Sequence, residues 1–449
     1  MKAKPPKSIL LAASLIFHTL AFGQTTSDDY YDRGVLRQDK GDLKAAIADY
    51  DHALTLNPKN ADAYNNRGVA SRDLGDLKGA VAAFTAALRV NPKYFKSYYN
   101  RGSAKLAEGD PAGALADYNQ ALKLNPEFSP AFAERGRLKQ TQGDFNGAIN
   151  DYDYALALGL KNAVVYNNRG VCKIEKSDPD GAIADYNRAL ALDAKYSDAY
   201  NNRGNARAVK GNREGAIADY DRALKLDSKN VNAYSGRGLA RQAEGDLDGA
   251  MADYNHALAI DPRSAVTYNN RGMAKRDKGD LKGAIVDYNR ALRLGPKNVA
   301  AYSNRAIAKA SQGDIKGALA DHNRAVASDP QSPLAYYNRG VVEQDAGSLD
   351  TAVTDYTRAL QLDPKLAYAY LNRGNAKAQK GNMEGAIADY NYALQLDPKL
   401  AAAYFNRGKA KAEKGDLNGA IADYDRALAI GPKRARHVQQ PWHGEGRKQ

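Results

Sequence analysis

The sequence predicts an all-α fold of about twelve stacked helix-turn-helix repeats, and two observations support this prediction. First, an arginine recurs every 34 residues from Arg33 to Arg407 without a single insertion. Second, apolar residues such as Ala80, Phe84 and Ala87 recur in each copy at spacings that place them on one side of a helix. A fixed period of this length indicates stacked copies of one unit rather than a globule with a central pocket.

The boundary between the two helices of each copy is also visible. Gly75 is typical of a helix end, because glycine adopts the left-handed backbone conformation, and Asp76 is typical of the N-cap of the next helix. All twelve copies place a capping residue where Asp76 stands. Pro58 marks the turn between copies, where proline breaks a helix. Twenty-four short helices in antiparallel pairs are expected.

Two further glycines of each copy need an explanation. We expect Gly68 where the two helices approach each other closely, opposite Ala80, and Ala306 is the exception at this place. Gly79 lies in the first turn of a helix, where glycine costs about 1 kcal/mol relative to alanine. Gly79 is explained either by a backbone contact that compensates this cost or by duplication of a repeat in which the glycine was neutral. We prefer the second explanation.

This pattern resembles the tetratricopeptide repeat, whose signature has aromatic, small and proline residues at the places of Tyr64, Gly68, Ala80, Phe84, Ala87 and Pro92. The chain departs from the family in having an arginine, such as Arg67, where leucine is usual. The resemblance implies a right-handed α-α superhelix over residues 24–432. It also implies a protein-interaction scaffold whose first helices line a concave groove.

The two ends of the chain differ from the repeats. Three lysines precede an apolar run from Ile9 to Leu20, and small residues at Ala21 and Gly23 fit a cleavage site. The run is shorter than the roughly 20 residues that span a bilayer. We therefore expect residues 1–23 to be a signal peptide that directs the protein to the periplasm or the medium, with an uncleaved anchor as the alternative. Residues 433–449 are expected to form a basic disordered tail.

Composition excludes several classes of function. Much of the formal net charge of +13 comes from the two ends, so no basic stripe for nucleic acid is expected along the array. His52, His256 and His322 stand alone on second helices, without metal-ligand spacing or a neighbouring nucleophile. Cys172 is the only cysteine and replaces an alanine, so it is expected to be a packing residue. We expect no catalytic activity, no metal and no cofactor.

The recurring charges predict a structural ion network. Each copy is counted from the residue six places before its recurring arginine, so this arginine is the seventh residue of the copy. Aspartate is the 23rd residue in eleven copies. In an antiparallel pair, the seventh residue on the first helix lies beside the 23rd residue on the second helix. A basic residue at the eleventh place lies one helical turn from the seventh on the first helix. We predict a network of Arg101, Lys105 and Asp117, repeated in most copies. Arg67 lacks this partner because Ala83 replaces the aspartate.

Function is expected on the first helices, where asparagine recurs as the sixth residue. An amide both donates and accepts hydrogen bonds, so a ladder of asparagines suits the backbone of an extended peptide. The alternative is that these asparagines hold neighbouring repeats together. The ladder is longest in the last third of the array, where aromatic residues add apolar surface. The predicted peptide site comprises Asn270, Asn304, Asn338, Asn372, Asn406, Tyr337, Tyr368 and Phe405.

A second candidate function remains open. The last copy lacks the polar helix that usually ends such an array, and Gly431 leads directly into the basic segment. The protein could therefore be a self-associating structural or assembly component of the cell envelope. Partners are expected to be proteins or peptides, with homo-oligomers forming through the uncapped end.

Overall fold

The computed structural model describes residues 25–431, and these residues form twenty-four α-helices and no β-strand. The predicted signal peptide and basic tail lie outside the described residues. The helices are α1 Ser27–Asp39, α2 Leu43–Leu56, α3 Ala61–Asp73, α4 Leu77–Val90, α5 Phe95–Ala107, α6 Pro111–Leu124, α7 Ser129–Thr141, α8 Phe145–Ala157, α9 Ala163–Glu175, α10 Pro179–Leu192, α11 Ser197–Val209, α12 Arg213–Leu226, α13 Val231–Glu244, α14 Leu247–Ile260, α15 Ala265–Asp277, α16 Leu281–Leu294, α17 Val299–Ser311, α18 Ile315–Ser328, α19 Pro333–Asp345, α20 Leu349–Leu362, α21 Ala367–Gln379, α22 Met383–Leu396, α23 Ala401–Glu413 and α24 Leu417–Ile430.

The helices pair as the sequence predicts, which confirms the all-α repeat fold. Each odd-numbered helix is the first helix of a repeat, and at least eleven of the first helices pack along the even-numbered helix that follows, from α1 with α2 to α23 with α24. The chain divides into two compact units, 25–206 and 207–431. Within each unit, first helices of successive repeats also contact each other, for example α3 with α5 and α19 with α21. The first helices therefore form one continuous face of each unit.

Each repeat has a small core that is shared with the next repeat. Ala46 and Tyr50 of repeat 1 pack against Ala70 of repeat 2, and this arrangement recurs along both units. Cys172 occupies the place of Ala70 in repeat 5 and is fully buried against Tyr152. Burial raises the pKa of the Cys172 thiol to about 12, so this residue stays protonated and packs as a small apolar side chain.

The glycine of the first helix makes room for an aromatic ring. A Cβ atom on Gly68 would lie 2.6 Å from Cε1 of Phe84, so the nearest neighbour is this ring rather than Ala80. Gly68 does lie at a place of close packing, as expected. Its neighbour, however, is the large aromatic side chain that fills the space between the two helices. In repeat 9 the aromatic residue is replaced by the smaller His322, and Ala306 replaces the glycine. A large ring on the second helix therefore occurs together with a glycine on the first helix, and the smaller ring of His322 occurs together with an alanine.

The glycine of the second helix makes room for the N-cap. A Cβ atom on Gly79 would lie 2.0 Å from Oδ2 of Asp76, whose Oδ1 accepts a hydrogen bond from the Gly79 amide at 2.9 Å. Where Ala45 replaces this glycine, the corresponding bond lengthens to 3.3 Å. Where Thr351 replaces it, the Ser348 side chain forms no capping bond. The glycine therefore leaves room for the capping side chain, which gives its recurrence a reason beyond the preferred explanation, duplication of a neutral residue.

Ser177 is the one described residue other than glycine with a positive φ, at 60°. Other repeats place a glycine in this turn, such as Gly211 with φ 79°. Because a side chain in this conformation costs roughly 1 to 2 kcal/mol, offset by the greater freedom of unfolded glycine, we expect Ser177→Gly to raise the free energy of unfolding by about 0.5 to 1 kcal/mol. Urea denaturation measures this change, with Gly211→Ser as the converse variant. Equal or lower stability of Ser177→Gly would show that the turn is unstrained.

Candidate functional site

The recurring arginine forms a bidentate hydrogen bond across its own helix pair. In repeat 3, Arg101 Nε and Nη2 donate to Asp117 Oδ2 and Oδ1 at 2.9 and 2.7 Å. Lys105 Nζ lies 2.9 Å from the same carboxylate, which is buried. The structure thus brings together all three residues of the predicted network. At least nine other repeats form the same bidentate pair, at Arg33, Arg135, Arg169, Arg237, Arg271, Arg305, Arg339, Arg373 and Arg407.

The arginine also contacts the preceding repeat, which sequence reasoning missed. Arg271 Nη1 donates to Asn255 Oδ1 of the previous second helix at 2.8 Å. Its guanidinium also lies over the ring of Tyr268, 5.4 Å from the centroid. One side chain thereby joins three helices. The sequence shows that this place is polar, because it holds Asn, Asp or Thr in every copy, but it does not show which residue of the next repeat lies beside it.

Repeats 2 and 10 depart from this arrangement in different ways. In repeat 2, with Ala83 in place of the aspartate, Arg67 Nε donates to Asp51 of repeat 1 at 2.6 Å. In repeat 10, Glu343 replaces the basic eleventh residue, and burial together with the neighbouring Asp355 raises the pKa of its carboxyl. Among the described residues, Arg339 is the one cation that forms an ion pair with Asp355.

Several amides of the asparagine ladder are used between repeats. Six ladder asparagines donate Nδ2 hydrogen bonds to a side chain of the preceding repeat, namely Asn66, Asn100, Asn202, Asn304, Asn372 and Asn406. In repeat 3, for example, Asn100 donates to Asn65 Oδ1 at 3.0 Å. This geometry supports the alternative explanation, in which the asparagines hold neighbouring repeats together. Each amide nevertheless has a second N–H group.

The five asparagines of the predicted peptide site fall into three groups. Asn304, Asn372 and Asn406 each donate to the preceding repeat. Asn270 is buried and accepts a hydrogen bond from Asn269. Asn338 is half-buried and forms no side-chain hydrogen bond to any described residue. The structure therefore places these residues in one column, although only Asn338 is free of such contacts.

The three predicted aromatic residues differ in exposure. Phe405 is 51% exposed, and its ring centroid lies 5.7 Å from that of Tyr424. Tyr337 accepts the Asn372 hydrogen bond at its hydroxyl, and burial raises its pKa to about 12. Tyr368 is half-buried and packs against the core around Leu371. Phe405 therefore offers the largest exposed ring of the three.

A cavity of about 380 Å³ opens in the second unit on the face of the last first helices. Only Asn406 of the predicted peptide site contributes to its lining. Residues at the ninth, twelfth and thirteenth places of the first helices were not among the predicted site residues. They lie on the same side of the helix as the fifth place, which Phe405 occupies. The cavity is lined by Gln344, Asn375, Ala378, Gln379, Met383, Tyr390, Asn406, Lys409, Ala410 and Glu413.

Buried tyrosines orient two amides of this cavity. Tyr390 Oη donates to Asn375 Oδ1 at 2.9 Å, and Asn406 Nδ2 donates to the same oxygen at 2.8 Å. Tyr356 Oη donates to Gln344 Oε1, also at 2.9 Å. Because these amide oxygens are occupied, the N–H groups of Asn375 and Gln344 remain to donate. The cavity thus offers the amide donors of Asn375 and Gln344, and Lys409 and Glu413 also line it.

Neither a metal site nor a membrane span is found among residues 25–431. This part of the chain contains no group of three or more His, Cys, Asp or Glu residues placed to hold a metal ion. None of its helices combines the length and apolar character needed to cross a membrane.

Sequence profiles of repeat families match most of the array. The profile described as TPR repeat matches residues 34–71, 174–211, 204–245, 272–313, 308–347, 342–381 and 374–415. Two profiles described as Tetratricopeptide repeat match 61–94 and 95–128, and 231–264 and 401–434. No curated protein gave a match to the chain.

Two solved structures align with most of this chain, and a third aligns with a shorter part of it. Yeast Tom70 is 19% identical over 92% of this chain and 94% of its own, with a TM-score of 0.47. The APC/C hetero-tetramer Cut9-Hcn1 is 16% identical over 97% and 99%, with a TM-score of 0.48. MamA is 28% identical over 37% of this chain and 96% of its own, with a TM-score of 0.34.

Proposed function

The chain belongs to the tetratricopeptide repeat family, and from this premise we propose that it is a non-catalytic scaffold that binds extended peptide segments. Family membership supports the general role of an interaction scaffold. The proposed binding region is the first-helix face of the last three repeats, where the 380 Å³ cavity lies. The observation that carries this proposal is the set of oriented amide donors that line the cavity.

The donors suit the carbonyl groups of a peptide backbone. An extended peptide presents acceptors that are not used within its own chain, so it can bind donors without a particular sequence. Asn375 and Gln344 have their oxygens occupied by tyrosine hydroxyls, and their N–H groups are held in place before a ligand arrives. Such preorganisation reduces the entropy lost on binding.

Aromatic surface beside the cavity suits the side chains of the same peptide. Phe405 is exposed next to Asn406, which lines the cavity. An aromatic ring buries a large apolar area with few rotatable bonds, which is why such residues are enriched at binding sites. We therefore assign Phe405 as the apolar anchor, with Tyr337 and Tyr368 extending the surface towards repeat 10.

The asparagine ladder has a reduced role in this proposal. Asn304, Asn372 and Asn406 have one N–H group bonded to the preceding repeat, and the second N–H group is left for a ligand. Replacing Asn338 tests ligand binding most selectively, because this replacement breaks no side-chain hydrogen bond among the described residues. Replacing the others would change both the joint between repeats and the binding surface.

Binding variants test the proposal. We expect Phe405→Ala combined with Asn338→Ala to reduce recovery of peptide-containing partners from the native cell envelope by at least about tenfold, the size of a typical interface contact. The matched control is Leu239→Ala, which changes an exposed residue on the first helix of repeat 7. Circular dichroism checks that all variants remain folded. Equal recovery by the double variant and the wild type would contradict the proposal.

We also propose that the protein acts outside the cytoplasm. The support is the lysine-rich start, the apolar run and the small residues before Gln24. The N-terminal sequence of the protein recovered from an exporting host should begin at Gln24. Retention of residues 1–23 would instead support an uncleaved anchor.

The second candidate, a self-associating component of the cell envelope, is favoured by one observation. Helix α24 exposes Leu417, Ile421 and Leu428, which are 64%, 58% and 76% exposed. Light scattering tests this candidate, because a monomer at all concentrations would contradict self-association.

A further inference from the structure

Cations cover the outer side of two successive second helices, α16 and α18. On α16 they recur at spacings that place them opposite the buried residues Ala284, Tyr288 and Ala291. Two of these places are basic again on α18. What we call the basic face comprises Lys282, Arg290, Arg293, Lys297, Lys316 and Arg324.

The charges of the basic face are not neutralised by ion pairs within the array. Arg290 is half-buried, the other five side chains are exposed, and none of the six forms an ion pair with a described residue. Three exposed carboxylates nearby each accept a backbone hydrogen bond, namely those of Asp280, Asp314 and Asp329. The cations of the face therefore remain available to an anionic partner.

The first place of this face has the opposite charge in several other repeats. In repeat 11 it holds Glu384, which forms an ion pair with Lys414 of repeat 12 at 2.5 Å. In repeats 8 and 9 it holds Lys282 and Lys316, and the following repeats have uncharged side chains at the place of Lys414. An ion pair between repeats is thus replaced by a cation that faces solvent.

One apolar side chain lies in the middle of the basic face. Val286 is 62% exposed and stands four residues from both Lys282 and Arg290, whereas every other copy has Ala, Asn or Thr at this place. Repeats 1 and 2 also expose lysines on their second helices, but they have alanine at the place of Val286 and no arginine at the place of Arg290. A basic side with an exposed apolar residue at its centre is typical of helices that lie on a membrane surface.

Nucleic acid fits this face less well. A single strand stacks its bases on aromatic rings with open faces. The ring of Tyr268, beside the basic face, has the guanidinium groups of Arg271 and Arg290 over it, 5.4 and 5.9 Å from its centroid. A phosphate backbone would also leave Val286 without an apolar contact.

We propose that the basic face binds the surface of a membrane that contains anionic phospholipids. Its arginines can form paired hydrogen bonds with lipid phosphates, and its lysines add point charges. Val286 enters the boundary between headgroups and acyl chains. The face lies on second helices, whereas the proposed peptide site lies on first helices, so this inference does not depend on peptide binding.

Co-sedimentation with lipid vesicles measures this binding, using the protein as recovered from an exporting host. We expect binding to vesicles of phosphatidylcholine and phosphatidylglycerol that weakens at high salt, and little binding to phosphatidylcholine alone. Arg293→Gln with Lys297→Gln should weaken binding at least about tenfold, because each cation near an anionic surface contributes about fivefold. The matched control, Lys123→Gln with Lys161→Gln, removes the same charge at the same places of repeats 3 and 4 and should change binding less than about twofold.

A fluorescent label locates the contact on the protein. Cys172 is buried and burial raises its pKa, so a thiol reagent labels an introduced cysteine instead. Ala320 is exposed on α18 at the place of Val286, and Ala116 is exposed at the same place of repeat 3. With anionic vesicles, the emission of labelled Ala320→Cys should shift to the blue, and that of labelled Ala116→Cys should not.

Three results would overturn the proposal. Vesicle binding without an emission shift at position 320 would show that another part of the chain, such as residues 432–449, contacts the membrane. Equal losses from the two pairs of glutamine substitutions would show attraction by total charge rather than by this face. Binding of polyglutamate or nucleic acid, without binding of anionic vesicles, would assign the face to an anionic polymer.

Discussion

Replacing Arg339 with alanine is expected to destabilise repeat 10 by about 3 kcal/mol or more. Asp355 is 4% exposed, and Arg339 is its one ion-pair partner among the described residues. In most repeats a basic eleventh residue would still compensate the aspartate, but repeat 10 has Glu343 there. The variant would therefore leave a buried carboxylate without a cation beside a second carboxyl.

Hydrogen exchange resolves this effect, because local opening of α19 and α20 is measured separately from the rest of the array. The matched control is Arg67→Ala in repeat 2, which leaves no buried aspartate since Ala83 stands there. Its partner Asp51 has a side chain that is 52% exposed, so this change should cost less than about 1 kcal/mol. Comparable losses in the two repeats would show that the buried carboxylate is not the source of the effect.

Mild acid is expected to destabilise repeat 9 more than any other repeat. His322 is fully buried in place of the usual aromatic residue, and neither ring nitrogen has a hydrogen-bond partner among the described residues. Burial, with a smaller contribution from Arg339, lowers the pKa of His322 to about 4 against the opposing effect of Asp321. The folded repeat therefore keeps the imidazole neutral at a pH where the unfolded chain binds a proton.

The direction of the pH effect follows from this difference. A lowered folded pKa gives a contribution that is complete above about pH 6.5 and is lost as the pH falls towards 4. Between about pH 7 and pH 4.5 we expect a loss of about 2 to 3 kcal/mol in the free energy of opening of repeat 9. Asp321 adds a loss only in stronger acid. Its pKa is lowered because hydrogen bonds from Arg305 and Lys309 outweigh the effect of burial.

A double variant that copies repeat 2 provides the control. Ala306→Gly with His322→Phe recreates the combination of Gly68 and Phe84, in which the glycine leaves room for the ring. We expect this double variant to lose the pH dependence of repeat 9 and to show a favourable coupling of at least about 1 kcal/mol between the two changes. An unchanged pH profile would show that His322 does not titrate in this window.

The features that repeat in every copy were predictable from the sequence. Gly75 and Asp76 fixed the turn inside the repeat because their conformational preferences are local. The position of Asp117 opposite Arg101 followed from helix geometry alone. Both depend on one hairpin, whose two helices are joined by a short turn and therefore have little freedom in register.

The features that depend on the angle between repeats were not predictable. The contact of Arg271 with Asn255, and the donation from Asn100 to Asn65, require the rotation of one hairpin relative to the next. This rotation results from the packing of side chains between repeats, which a period in the sequence does not specify. The cavity was missed for the same reason, because residues of three successive first helices line it.

The central claim, that the first-helix face of the last repeats binds extended peptide, is tested most directly by a photo-crosslinking amino acid placed at position 405. The same group at position 239, on the equivalent face of repeat 7, is the control. We predict crosslinks from position 405 to single extended segments of partner proteins, and few or none from position 239. Equal crosslinking at both positions, or crosslinks from position 405 only to folded surfaces of other chains, would contradict the account.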